Sequence, residues 1–140
     1  FYDEPFMANV YNSFDWFVTM SSGEGFNLPL IEAMACGTPV IAGDHTAHHE
    51  LAFEGDPQPR GIAVKAKYVR PVLWTPTHQE YSFIDPSDFA DVMARAYNED
   101  REPYSRNAAE FAKQYDWELV IDKYFVPILN EIETEILPRR

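Results

Sequence analysis

The sequence predicts an α/β domain, and three observations carry that prediction. Asp15 to Met20 (Asp-Trp-Phe-Val-Thr-Met) is a short aromatic and β-branched run, as expected of a strand buried on both faces of a parallel sheet. Leu28 to Cys36 reads as a helix, with Pro29 suited to its first position and Gly37 and Pro39 as its stop. Pro39 to Ala42 (Pro-Val-Ile-Ala) then reads as a second strand. Strand, loop, helix and strand in that order make a βαβ unit, whose crossover is right-handed in nearly all proteins.

The remaining elements follow in order. His48 to Phe53 is compatible with a helical turn, and Gly61 to Val64 with a third strand after the turn-rich Glu54-Gly-Asp-Pro-Gln-Pro. Residues 65–84 hold Pro71, Pro76 and scattered aromatics that break both periodicities, so this stretch is expected to be an ordered excursion with a hairpin as its form. Asp85 is placed to cap a helix that starts at Pro86, with Phe89, Val92, Met93, Ala96 and Tyr97 as its buried stripe. A helix from about Pro103 to Tyr115 should bury Tyr104, Ala108, Phe111, Ala112 and Tyr115. A last one from Trp117 presents Val120, Ile121, Tyr124, Phe125 and Ile128, with a kink at Pro127.

At 140 residues the chain is one domain by length, with 46% hydrophobic and 24% charged residues, which excludes a disordered tail. Eleven Lys and Arg against 23 Asp and Glu give a formal charge of -12, a field that disfavours nucleic acid as a partner. The one cysteine, Cys36, excludes an internal disulfide and suits the cytoplasm; at the end of an apolar helix it reads as a core residue. No segment has the length and apolarity of a membrane span, and no signal peptide is visible. Opening on Phe1 instead of Met, the chain is expected to be a piece of a longer protein.

Glu24 and Glu32 are separated by seven residues. The first falls in the loop at the carboxyl end of a parallel strand, where open α/β sheets bind ligands, and the second about one turn into the next helix. Between them the helix start offers backbone N–H groups from about Asn27 to Leu30 and a partial positive charge, a ready phosphate site. Residues 1–59 contain nine acids and no Lys or Arg, so these amides are their only source of anion affinity. Two carboxylates would repel a phosphate and instead accept hydrogen bonds from sugar or ribose hydroxyls. The bland reading is one loop acid and one acid on a helix's first turn; a glycoside hydrolase, the other user of paired carboxylates, suits a helix-borne Glu32 poorly.

The stretch Gly23-Glu-Gly-Phe-Asn-Leu-Pro-Leu-Ile-Glu-Ala-Met-Ala-Cys-Gly-Thr-Pro-Val-Ile41 resembles the signature of retaining glycosyltransferases of GT-B architecture, family 4. The resemblance runs from Asp15 through Glu50 and resumes at Arg60 to Val64, at Asp85 to Ala90 and at Tyr115-Asp-Trp-Glu118. It implies a partial Rossmann-like parallel sheet with flanking helices, the latter part of a donor-binding domain. It also implies a nucleoside-diphosphate sugar as donor, a hydroxyl acceptor and no obligatory metal or other cofactor. Carried over residue by residue, Glu24 would be the catalytic contact to the donor sugar. Gly25, Phe26, Asn27 and Leu28 would meet the sugar and diphosphate, Glu32 the ribose hydroxyls, and Thr38 would approach the nucleotide. The resemblance further implies that diphosphate-clamping cations and the acceptor domain lie outside this chain, which alone should not transfer sugar. In the whole protein, contact with a membrane periphery is compatible with this reading.

Asn27 departs from the family by standing where a glycine is usual; Asn tolerates positive φ better than most residues, so the loop can keep its shape. Residues 65–84 are longer than the family's connection. That excursion brings Lys65, Lys67 and Arg70 close in sequence to Arg60, a cluster that could face a phosphate or an acidic acceptor, or could be a solvated face. Its aromatics, from Tyr68 to Tyr81 with Trp74 inside, suit core or interface packing, with carbohydrate contact as the other reading. His45, His48 and His49 lack metal-ligand spacing and are expected in a solvated or donor-facing loop, where Glu50 matches an acid common in the family, a resemblance that implies a local structural or nucleotide contact. The competing reading for the whole chain is a binding or assembly module that keeps the fold without catalysis.

Overall fold

A computed structural model describes residues 3–55, 58–71 and 80–136. The strands β1 (Phe17–Thr19), β2 (Val40–Asp44) and β3 (Gly61–Lys65) form a parallel sheet with β2 in the middle. Phe17 is level with Val40, and Val40 with Gly61. The βαβ unit is as the sequence predicts: α2 (Leu28–Ala35) is the crossover from β1 to β2. It stops where Gly37 takes φ 76°, which lets the N–H groups of Gly37 and Thr38 bond back to the carbonyls of Met34 and Ala33 at 2.9 Å each.

Alternation along β2 divides the core. Val40 and Ala42 face Leu30, Ile31 and Met34 of α2, Leu51 and Ala52, and Ala108 and Ala112. Ile41 faces the other way, onto Ile62, Val64, Ala96 and Tyr104. The helices that supply the last residues are α4 (Pro86–Asn98) and α5 (Glu102–Ala112), the latter continued by a 3-10 turn at Lys113–Tyr115. Asp85 caps α4 as expected, its Oδ1 accepting from the Ser87 N–H at 2.9 Å and the Ser87 hydroxyl at 2.7 Å. Helix α5 touches both core layers and runs across the amino edge of the sheet, where Asn107 donates to the carbonyl of Pro59 and Trp16 meets Tyr104 edge-on at 5.3 Å. That edge is covered, and the loops after β1 and β2 lie at the opposite, carboxyl edge.

The excursion is a hairpin: β4 (Tyr68–Pro71) pairs antiparallel with β5 (Glu80–Phe83), and Ser82 N–H bonds to the carbonyl of Ser22, just beyond β1, at 2.8 Å. Trp74 lies outside the described residues.

Several expectations need correction. Helix α1 (Glu4–Asn12) was not foreseen, although Asp3 caps it through the Phe6 N–H and Pro5 stands in its first turn. Strand β1 is shorter than Asp15 to Met20 and is not buried on both faces, because it is an edge strand of this sheet and leaves Val18 exposed. On α4, Phe89, Val92 and Ala96 face the core, but Met93 is exposed and Tyr97 is 90% exposed. At about 100° per residue, Tyr97 sits beyond the shoulder of that stripe. The final segment runs as α6 (Trp117–Val120), a π turn (Ile121–Phe125), α7 (Val126–Glu131) and a further π turn (Ile132–Ile136). The disturbance expected at Pro127 is met by the π turn directly before it. Of its supposed buried stripe, Ile121, Tyr124, Phe125 and Ile128 are exposed.

Arg60 leaves the supposed cationic cluster altogether. It is 2% exposed, stacks 3.9 Å above the Phe111 ring and donates to the Glu54 carbonyl at 2.7 Å. Lys67 pairs with Asp85 at 2.7 Å, and Lys65 is exposed at the carboxyl end of β3.

Candidate functional site

The site begins at Asn27. This residue takes φ 69°, the left-handed conformation expected of it, and caps α2: its Oδ1 accepts from the Leu30 N–H at 3.3 Å. That bond narrows the supposed amide nest. Leu30 is already capped and Pro29 has no N–H, so the donors this turn can offer a ligand are those of Gly25 to Leu28. The Asn27 side chain itself is turned inward and 9% exposed, with Nδ2 2.8 Å from His48 Nε2 and 3.4 Å from Thr19 Oγ1.

Phe26, Leu28 and Glu32 come together on one open groove of about 1270 Å³ between α1, α2 and the C-terminal helices. Phe26 meets Tyr115 edge-on at 5.5 Å. Glu32 is exposed on the groove and accepts from the Tyr11 hydroxyl at 2.7 Å. Burial and the Glu32 carboxylate push the Tyr11 phenol up to about 12. It therefore stays a neutral donor, and a ligand hydroxyl competing for Glu32 would find one of its lone pairs already in use. Cys36 lines the same groove, half-buried and not in the core, and burial raises its thiol pKa.

Glu24 has different neighbours. Its N–H donates to Thr46 Oγ1 at 3.2 Å, in the loop after β2, while its half-buried carboxylate lies close enough to His48 to favour that residue's charged form. Thr38 is not brought to this edge. Its hydroxyl is buried and donates to the Tyr11 carbonyl at 2.8 Å, just before β2 begins, at the amino edge of the sheet. Glu24, Gly25, Phe26, Asn27, Leu28 and Glu32 thus share the start of α2, and Thr38 stands apart.

The histidine loop is also unlike its expectation. His49 is exposed and bonds to Asp44 at 2.6 Å, but His45 and His48 are buried, their rings 5.2 Å apart. They lie in and beside a short helix, α3 (Thr46–His48), which continues as a π turn, His49–Phe53. Thr46, a β-branched residue, holds φ 45°, a conformation that costs on the order of 1–3 kcal/mol and clusters at functional sites. Among the described residues, no three His, Cys, Asp or Glu are grouped so as to hold a metal ion. No helix among them is long and apolar enough to cross a membrane.

Burial lowers the pKa of both His45 and His48 below the ordinary 6.5. A folded state that resists protonation binds fewer protons than the unfolded chain, so its stability is full above 6.5 and falls as pH drops towards the lowered values. The slope reaches at most roughly 1.36 kcal/mol per pH unit for each histidine. His49, raised by its bond to Asp44, acts in the opposite sense but is exposed and contributes little. Thermal unfolding from pH 7 to pH 5 should therefore show a larger acid loss in the wild type than in His48→Phe; equal losses would contradict the assignment.

Sequence reasoning missed Tyr11, Thr46 and the His48 contact. Tyr11 could have been found from the cap at Asp3 and the spacing of Met7, Val10 and Tyr11, whereas the His48 contact has no local signal.

A parallel three-stranded sheet flanked by helices, with a βαβ unit and a capped crossover helix, places the domain in the α/β, Rossmann-like class. The chain belongs to the glycosyl transferases group 1 family, whose pattern it matches over residues 1–98. It is 33% identical over 118 residues to a D-inositol 3-phosphate glycosyltransferase of Saccharomonospora viridis, covering 83% of this chain and 23% of that protein. It is 32% identical over 100 residues to a phosphatidyl-myo-inositol mannosyltransferase of Mycobacterium leprae, covering 70% of this chain and 21% of the relative. A chain in the crystal structure of the GtfA/B complex superposes with a TM-score of 0.65 at 19% identity, over 90% of this chain and 23% of that one, which shows the fold. The chain thus spans under a quarter of the length of these curated relatives.

Proposed function

We propose that the protein carrying this chain is a retaining glycosyltransferase and that this domain binds its donor, a nucleoside-diphosphate sugar. What supports the reading is that Glu24 and the Gly25 to Leu28 amides lie in the loop that leads into α2, and Phe26, Leu28 and Glu32 on the groove beside it, in a chain of the glycosyl transferases group 1 family. Glu24 accepts hydrogen bonds from the sugar hydroxyls and sets the ring's orientation. The amides of Gly25 to Leu28, at the positive end of α2, meet the diphosphate and stabilise the charge that develops on it as the glycosidic bond breaks. Glu32 holds the ribose hydroxyls, and Phe26 and Leu28 close the groove around them. The acceptor is a molecule with a free hydroxyl, and the relatives named for inositol phosphate and phosphatidyl-inositol make a polyol the first class to try. Acceptor groups, diphosphate-clamping cations and the remaining domain lie beyond these residues in this reading, which requires no metal. The cytoplasm is the compartment we favour, on the lone cysteine.

Glu32→Ala in the whole protein is expected to weaken nucleoside-diphosphate affinity roughly tenfold, the effect of losing a hydrogen bond to a charged group. Its effect on turnover at saturating donor should be small. Calorimetric titration with the nucleoside diphosphate checks this, and unchanged affinity would contradict the role given to Glu32.

A further inference from the structure

Two hydrogen bonds join the loop after β2 to the loop that carries Glu24: Glu24 N–H to Thr46 Oγ1, 3.2 Å, and Asn27 Nδ2 to His48 Nε2, 2.8 Å. The second has a defined direction. Because Asn27 Oδ1 is the acceptor for the Leu30 N–H, the amide is oriented with its NH2 towards His48, and His48 Nε2 must accept. The ring is then neutral with its proton on Nδ1, a buried atom that makes no hydrogen bond of its own among the described residues. His48 is fully buried and Asn27 nearly so, which shuts the second bond off from water, whereas the Glu24–Thr46 bond is exposed.

We propose that His48 is a positioning residue for donor binding: as the Nδ1–H tautomer it holds the Asn27 amide, fixes Asn27 as the left-handed cap of α2, and so sets the Glu24 to Leu28 loop. This rests on the donor-binding reading above and adds to it the group that shapes the loop where Asn replaces a more flexible residue. Protonation of His48 removes the acceptor and places two donors face to face, which releases the loop. The groups that tune this proton are His45, which opposes the charged form together with burial, and Glu24, which favours it from the opposite loop.

The test is a double-mutant cycle in the whole protein. His48→Phe strands the Asn27 NH2 in a buried site and is expected to weaken affinity for the nucleoside-diphosphate sugar about tenfold. Asn27→Gly removes that NH2 and adopts positive φ unaided, so adding His48→Phe to Asn27→Gly should cost less than about threefold. The acid limb of the kcat/KM profile should show one inflection in the wild type that is lost in the double variant. Equal penalties for His48→Phe in the two backgrounds would reduce His48 to packing and overturn the proposal. Long-range 1H–15N spectra of histidine-labelled protein read the tautomer independently of any ligand. Nδ1 protonated and Nε2 bare at pH 7.5 is the expected state, and Nε2 protonated overturns the assignment. If the wild type binds no nucleoside diphosphate, the donor reading fails, and the spectra with the cycle repeated on stability still decide the role of His48.

Discussion

Glu24→Ala is expected to lower kcat of the whole protein roughly a hundredfold, the scale of losing one group that acts on the transition state. The fold should be almost untouched. What the fold uses at this position is the backbone N–H, bonded to Thr46 Oγ1 at 3.2 Å, and alanine keeps it. The carboxylate makes no such structural bond among the described residues. It lies at the carboxyl edge of the parallel sheet, where open α/β sheets bind their ligands. Steady-state kinetics with matched unfolding curves check the expectation, and turnover within about twofold of the wild type would remove Glu24 from the mechanism.

The largest effect on stability is expected at Gly61, where β3 begins. A Cβ there would stand 2.4 Å from the Val40 carbonyl oxygen and 2.6 Å from Val40 Cγ2, on the neighbouring strand. The obstruction is mostly backbone, and Val40 is held on both sides, level with Phe17 and with Gly61. It cannot withdraw without parting β2 from β3. Gly61→Ala should therefore cost about 3 kcal/mol or more, at the upper end for overpacked cores. Denaturant unfolding measures it, and a loss below about 0.5 kcal/mol would show that the two strands are not in this register.

Much of this fold is legible in the sequence because short-range chemistry decides it. Pro29, Gly37 and Pro39 mark the ends of α2, Asp85 and Pro86 the start of α4, and the apolar run before Ser21 the first strand. What misleads is any property that depends on where chain neighbours go in space. Arg60 and Lys65 look like one cluster, but the five residues of β3 rise roughly 3.3 Å each and carry them to opposite edges of the sheet. Arg60 ends on Phe111, over fifty positions away in sequence. The apolar residues from Val120 to Ile128 follow helical spacing, yet Tyr124, Phe125 and Ile128 stay exposed among the described residues.

The site divides in the same way. Glu24, Phe26, Leu28 and Glu32 are readable from spacing because a loop and the first turns of one helix place them. Thr38 belongs to the same sequence motif but lies beyond the other end of α2, a helix of eight residues and about 12 Å. Tyr11 and His48 enter only through tertiary contacts, with Glu32 and with Asn27.

Whether this domain holds a nucleoside-diphosphate sugar at the start of α2 is decided by titration calorimetry of the whole protein against a panel of uridine, guanosine and adenosine diphosphate hexoses. Saturable 1:1 binding of at least one member is expected, weakened roughly tenfold by Glu32→Ala. Absence of binding to every member of the panel, or binding that is indifferent to both Glu24→Ala and Glu32→Ala, would contradict it.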